Sequence, residues 1–146
     1  MKRCFYILNC VLPIFCGAIL YYLFCPDTLF VMKIDSILGV AVHVPLRTER
    51  NIVLNLFRCY LFDVLWMYSL VFILYFLQDN DTHKVIRSFM IAWILGILME
   101  FAQLRGLCAG TFDVADIIVE LGAGMAAVFM IKKSISYEGR ETNEGI

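Results

Sequence analysis

Four long apolar runs dominate this chain of 146 residues and leave it few ways to fold. They cover about residues 4–25, 59–77, 86–104 and 114–131. Each is close to the roughly 20 residues with which an α-helix crosses a hydrocarbon core about 30 Å thick. Hydrophobic residues make up 62% of the chain and the mean hydropathy is +0.81, against about 45–50% apolar residues in a soluble domain. The expectation is an all-α integral membrane protein: a four-helix transmembrane bundle, with no soluble domain beside it. A net charge of −1 argues against nucleic acid as a partner. The partner that composition implies is the lipid bilayer.

The first run follows Lys2 and Arg3, as a signal peptide would. Its apolar stretch is nearer 20 residues than the roughly 7–15 of a signal core, and bulky Leu23-Phe24-Cys25-Pro26-Asp27 offers no cleavage site. It reads as an uncleaved anchor, with a modest kink expected at Pro13. Residues 26–58 form a long connection. Asp27 or Thr28 is placed to cap an amphipathic helix carrying Leu29, Phe30, Ile34, Ile37 and Leu38. Lys33 and Asp35 make it a poor span, so an interfacial helical segment between the first two membrane helices is expected. Residues 40–45 carry no assignable pattern, and Thr48 is a possible start for another short helix. The link at 78–84 is short and polar. The tail, residues 132–146, is polar and reads as a structureless stub.

Six cysteines are present, none in a C-x-x-C pair. Cys4, Cys10 and Cys16 fall on the first apolar run, where a thiol behaves as a small hydrophobe. Cys25, Cys59 and Cys108 fall near one set of helix ends; free thiols are favoured over a disulfide there.

Orientation follows from Lys and Arg. With the N-terminus inside, Lys2, Arg3, Lys84, Arg87, Lys132, Lys133 and Arg140 are cytoplasmic, and the short loop before the last span carries only Arg105. The long outer connection holds Lys33, Arg47, Arg50 and Arg58. Short loops weigh most, so both termini are expected in the cytoplasm of a multi-pass cell-membrane protein.

Two carboxylates lie within these spans, Glu100 and Glu120. A charged side chain at the bilayer centre costs roughly 2.5–3.5 kcal/mol on insertion scales, so each must be paired, protonated, near an interface or used. In this topology Asp27, Arg58, Asp63, Glu100, Gln103, Arg105, Asp113, Asp116 and Glu120 all fall in the outer half; Asn9 is the inner exception. Asp113, Asp116 and Glu120 are spaced i, i+3, i+7 and share a helix face. Ala123, Gly124 and Ala127 continue that face, and small residues let a neighbouring helix approach. Glu100 and Gln103 share a face with Gly96 and Trp93. A short loop joins these helices, which brings both glutamates within reach of one pocket.

Three readings compete for that pocket. In the first, Arg58, Arg105 and hydroxyl groups hold the glutamates, which then fix helix register. In the second, the carboxylates bind a ligand or a hard cation through oxygen; zinc is disfavoured, because His43 and His83 fall on opposite sides. In the third, they do acid–base chemistry, since crowded carboxylates in a low dielectric resist ionising together. No nucleophile elbow, phosphate loop or H-E-x-x-H accompanies them, which lowers the enzyme reading, and no cofactor is implied. Asp113 and Asp116 also suit the first turn of a helix. Trp66, Trp93 and the 12 phenylalanines suit lipid contact and packing.

The stretch Glu100-Phe-Ala-Gln103, then Gly110-Thr111-Phe112-Asp113-Val-Ala-Asp116, then Glu120-Leu-Gly122-Ala-Gly124 resembles the C-terminal signature of VanZ-like membrane proteins. That family shows a Glu-x-x-Gln late in one helix, then an Asp-x-x-Asp pair leading into a last helix with small residues. Asp63-Val-Leu-Trp66 is a weaker likeness to related small bacterial membrane proteins. Gly110-Thr111 stands where the family often has Arg, and Glu120 where it often has Asn, so this pocket is more acidic. The resemblance implies a bacterial cell-envelope protein, linked through the family's named member to glycopeptide (teicoplanin) tolerance, with no established reaction. Its candidate residues are Glu100, Gln103, Asp113 and Asp116; the topology adds Glu120, Asp63 and Arg58. The expected role is binding a lipid-linked or cationic envelope component at the outer leaflet. A small enzyme acting on envelope lipid is the alternative. A cation- or proton-coupled transporter ranks last, because the inner half lacks polar residues.

Overall fold

In the computed structural model, residues 2–24, 26, 28–43, 52–78, 82–108 and 111–144 are described, and they form helices without strands. Among the described residues five α-helices follow one another: α1 (Lys2–Phe24), α2 (Leu29–Leu38), α3 (Ile52–Leu77), α4 (Val85–Leu104) and α5 (Val114–Glu144), with a 3₁₀ turn at Thr82–Lys84. In lipid each backbone N–H and C=O needs a partner within its own segment, which an α-helix supplies. Among the described residues, four stretches are long and apolar enough to cross a membrane: Cys4–Phe24, Tyr60–Leu77, Val85–Leu104 and Val114–Ser136. Their outer faces expose Ile7, Phe15, Leu98 and Phe129. Contiguous exposed apolar surface of this kind suits lipid, not water. The expected four-helix fold class is the one observed, and the chain is a multi-pass membrane protein.

Helix α3 is the hub, packing against α1, α4 and α5, while α5 also packs against α4. Residue pairs give the directions. Tyr6 meets Tyr75 and Tyr21 meets Phe62, so α1 and α3 are antiparallel. A Cβ on Gly124 would touch Phe89 and Met67, and Tyr60 reaches toward Asp113, so α5 runs parallel to α3 and antiparallel to α4. The core holds Tyr6, Met67, Val71, Phe72, Tyr75, Val85, Ala92, Ala123, Ala127 and Ile131. Tyr68 donates to Asn9 Oδ1 at 2.8 Å, and Asn9 Nδ2 donates to the Phe5 carbonyl at 2.9 Å. Asn9 is thus a tie between α1 and α3. At the α3–α4 turn, Gln78 Nε2 donates to Ser88 Oγ at 2.9 Å and to the Leu74 carbonyl at 3.0 Å.

Several boundaries differ from the sequence expectation. The helix expected ahead of the second span and the span expected at 59–77 form one helix, α3, from Ile52; Thr48, its expected start, lies outside the described residues. Nothing between Ile52 and Leu77 breaks it: the segment has no Gly or Pro. The tail expected to be structureless continues α5 to Glu144. Once a helix is nucleated, each added residue gains one hydrogen bond, and no proline stops it. Helix α1 runs through Pro13 without interruption. The interfacial helix appears as α2, with Thr28 at its N-cap; Asp27 lies outside the described residues. Gly39, at φ 66°, ends α2 by donating its N–H to the Asp35 carbonyl at 2.8 Å. A left-handed residue there is the usual place for glycine. Cys4, Cys10, Cys16 and Cys108 are free thiols; the side chains of Cys25 and Cys59 lie outside those described.

Candidate functional site

The end of the bundle where α4 hands over to α5 is built by hydrogen bonds. Gly106, at φ 67°, lets α4 close: its N–H donates to the Gln103 carbonyl at 2.9 Å, and Leu107 N–H to that of Ala102 at 2.9 Å. This is the paired bonding of a Schellman motif, which satisfies carbonyls the helix leaves open. Asp113 then starts α5. Its Oδ1 accepts the Ala115 N–H at 2.8 Å, as an N-cap residue does. Its own N–H donates to Glu100 Oε2 at 3.0 Å. Glu100 is 5% exposed. One span's carboxylate therefore fixes the first residue of the next.

Glu120 is equally buried, at 5%, yet its Oε2 has no hydrogen-bond partner among the described residues. The carboxylate lies over Gly96 of α4, and a Cβ there would collide with it; the glycine makes room for the acid. The charged neighbours of Glu120 are Asp63 of α3, Glu100 of α4 and Asp116 of α5, with Asp63 the strongest. Asp63 in turn feels Asp116 and Glu100. Four carboxylates from three helices thus lie at one end of the bundle, near enough to feel one another's charge. Among the described residues, no group of three or more His, Cys, Asp and Glu side chains is arranged to hold a metal ion. A hard cation needs several oxygens converging at about 2.0–2.6 Å.

The remaining candidates are placed as follows. Gln103 is half-buried, and its carbonyl belongs to the α4 cap. The Arg58 side chain and Gly110 lie outside the described residues. Arg105 sits at the α4 C-cap, exposed, and among the described residues forms no ion pair with Glu100 or Glu120. Trp93 Nε1 donates to the Ile117 carbonyl at 3.5 Å, which sets the α4 face of Trp93, Gly96 and Glu100 against α5.

A second polar cluster escaped the sequence reading. The Tyr22 hydroxyl, at the end of α1, donates to Asp35 Oδ1 of α2 at 2.7 Å. His43 Nε2 lies 2.8 Å from Asp35 Oδ2, and its Nδ1 3.2 Å from the Tyr22 carbonyl oxygen. The Tyr22 hydrogen bond, aided by His43, holds the Asp35 carboxyl below its ordinary range despite some desolvation. Residues 40–45 had no periodicity to read, so nothing in the sequence pointed His43 back at Asp35. This cluster fastens α2 and the segment after it to α1.

These features define a multi-pass membrane protein whose acidic residues gather at one end of α3, α4 and α5. No protein-family model, curated protein or solved structure matches the chain.

Proposed function

We propose that this chain is a VanZ-like membrane protein of the bacterial cell envelope. Its termini are cytoplasmic, and its outer-half acidic junction binds a cationic or lipid-linked envelope component. The family part rests on the resemblance through Glu100, Gln103, Asp113 and Asp116. The observation that carries the acidic junction is Glu120, buried to 95%, unpartnered at Oε2 among the described residues, with Asp63, Glu100 and Asp116 as its charged neighbours. A carboxylate kept only to fix register would be paired, because an unsatisfied buried group costs about 1–3 kcal/mol, and more when charged. Glu100 and Asp113, which do find partners, position the α4–α5 connection beside the site.

The test compares Glu120→Gln and Glu100→Gln, singly and together, reading membrane abundance beside teicoplanin tolerance. The expected result is normal abundance with tolerance lost in Glu120→Gln. Loss of abundance would make the carboxylate structural. Unchanged abundance and tolerance would remove the site.

A further inference from the structure

Glu100 and Glu120 are equally buried, but only one is satisfied. Glu100 accepts from the Asp113 backbone, while Glu120 Oε2 meets no donor. Among the described residues, the charged neighbours of Glu120 are all acids: Asp63, Glu100 and Asp116. A ligand that completes this junction brings donors and positive charge. The carboxylates influence one another through space without converging as metal ligands do. An ammonium group asks for less. It carries three N–H donors that can bridge oxygens at different angles, and it needs no fixed coordination polyhedron.

Depth agrees with this chemistry. Glu120 lies six residues into α5, which starts at Val114. At 1.5 Å per residue that is about 9 Å from the helix end, within reach of a headgroup. Glycine at position 96 leaves the carboxylate a seat on α4 without a side chain covering it.

We propose that Glu120, with Asp63 and Asp116, forms a binding site for an ammonium group at the junction of α3, α4 and α5. This rests on the acidic-pocket reading above and adds the chemistry of the ligand. The ammonium has two sources, the headgroup of an aminophospholipid or a soluble primary amine.

The experiment uses the full chain in nanodiscs of phosphatidylglycerol alone, or mixed with phosphatidylethanolamine or phosphatidylcholine. Each is treated with dicyclohexylcarbodiimide, and the adduct on Glu120 is followed by mass spectrometry. The reagent adds to a carboxyl that is protonated and free, so an ion-paired ammonium protects it. Labelling is expected to slow at least tenfold with phosphatidylethanolamine if the source is lipid. The same slowing in phosphatidylglycerol discs given millimolar ethylamine would identify a soluble amine. Asp63→Asn should weaken protection while leaving Glu120 available to label. Rates within twofold in all conditions would overturn the proposal. So would equal protection by phosphatidylcholine, whose quaternary nitrogen has no N–H, or complete absence of labelling, which would mean a sealed site. If Glu120→Gln abolishes tolerance while labelling ignores amines, the pocket reading stands and the ammonium assignment falls. Amine protection with normal tolerance does the reverse.

Discussion

At Glu100 the acceptor role can be separated from the charge. Its Oε2 receives the Asp113 N–H at 3.0 Å. A hydrogen bond to a charged group contributes about 1.5–3 kcal/mol. Glu100→Gln keeps a carbonyl oxygen for that donor, whereas Glu100→Ala leaves it empty. Thermal unfolding in micelles is expected to show Ala losing about that amount and Gln losing much less. Equal losses would mean that charge, not the acceptor, holds the turn. The sequence marked Glu100 and Glu120 by the same criterion, a carboxylate inside an apolar run. It could not tell them apart, because the difference is one backbone N–H delivered from across the α4–α5 connection.

Between elements, glycines report where helices touch. Gly122 and Gly124 lie two residues apart on α5, yet a Cβ on Gly122 meets nothing within 4 Å, while one on Gly124 would lie 2.6 Å from the Phe89 ring. Phe89 is itself stacked on Trp93, with ring centroids 6.3 Å apart, so making way for a Cβ would disturb that stack. Gly122→Ala is therefore expected to change stability by less than about 0.5 kcal/mol. Gly124→Ala should cost about 1–3 kcal/mol, the range for overpacking. Gly96→Ala strikes the Glu120 carboxylate instead of an aromatic ring. Its cost should shrink when combined with Glu120→Ala, a coupling that a double-mutant cycle in denaturant titrations would measure. Additive costs would place the two groups apart. The small-residue face of α5 was legible from helical spacing alone. That Gly96 of α4 makes room for Glu120 was not, since glycine spacing says nothing about which acid lies opposite.

Over the whole molecule, α2 and the segment after it are held by Tyr22, Asp35 and His43. Asp35 is depressed below its ordinary value when folded, first by the Tyr22 hydroxyl. A depressed carboxyl stabilises the folded arrangement above its unfolded pKa, and that stabilisation disappears as pH falls through the folded value. Hydrogen exchange across α2 should thus be slow at neutral pH and accelerate below about pH 4, the ordinary aspartate value. In Asp35→Asn the acid-dependent part should vanish. An identical acid response in that variant would assign the effect to another group. This latch lies at the same end of α1 as its contact with α3 at Tyr21 and Phe62.

The sequence by itself determined the solvent and the class of element. Apolar runs about as long as a bilayer is thick admit helices, since lipid offers no partner to a free backbone group. It also placed the acids at one end, because helical rise converts position into depth. Tertiary structure decided what depth and periodicity do not encode. It made α3 the hub, merged the expected short helix into it, and turned His43 back onto Asp35. It also gave Glu100 a donor and left Glu120 Oε2 without one. Each of these depends on which surfaces meet, and hydrogen bonds between segments distant in the chain leave no trace in local spacing.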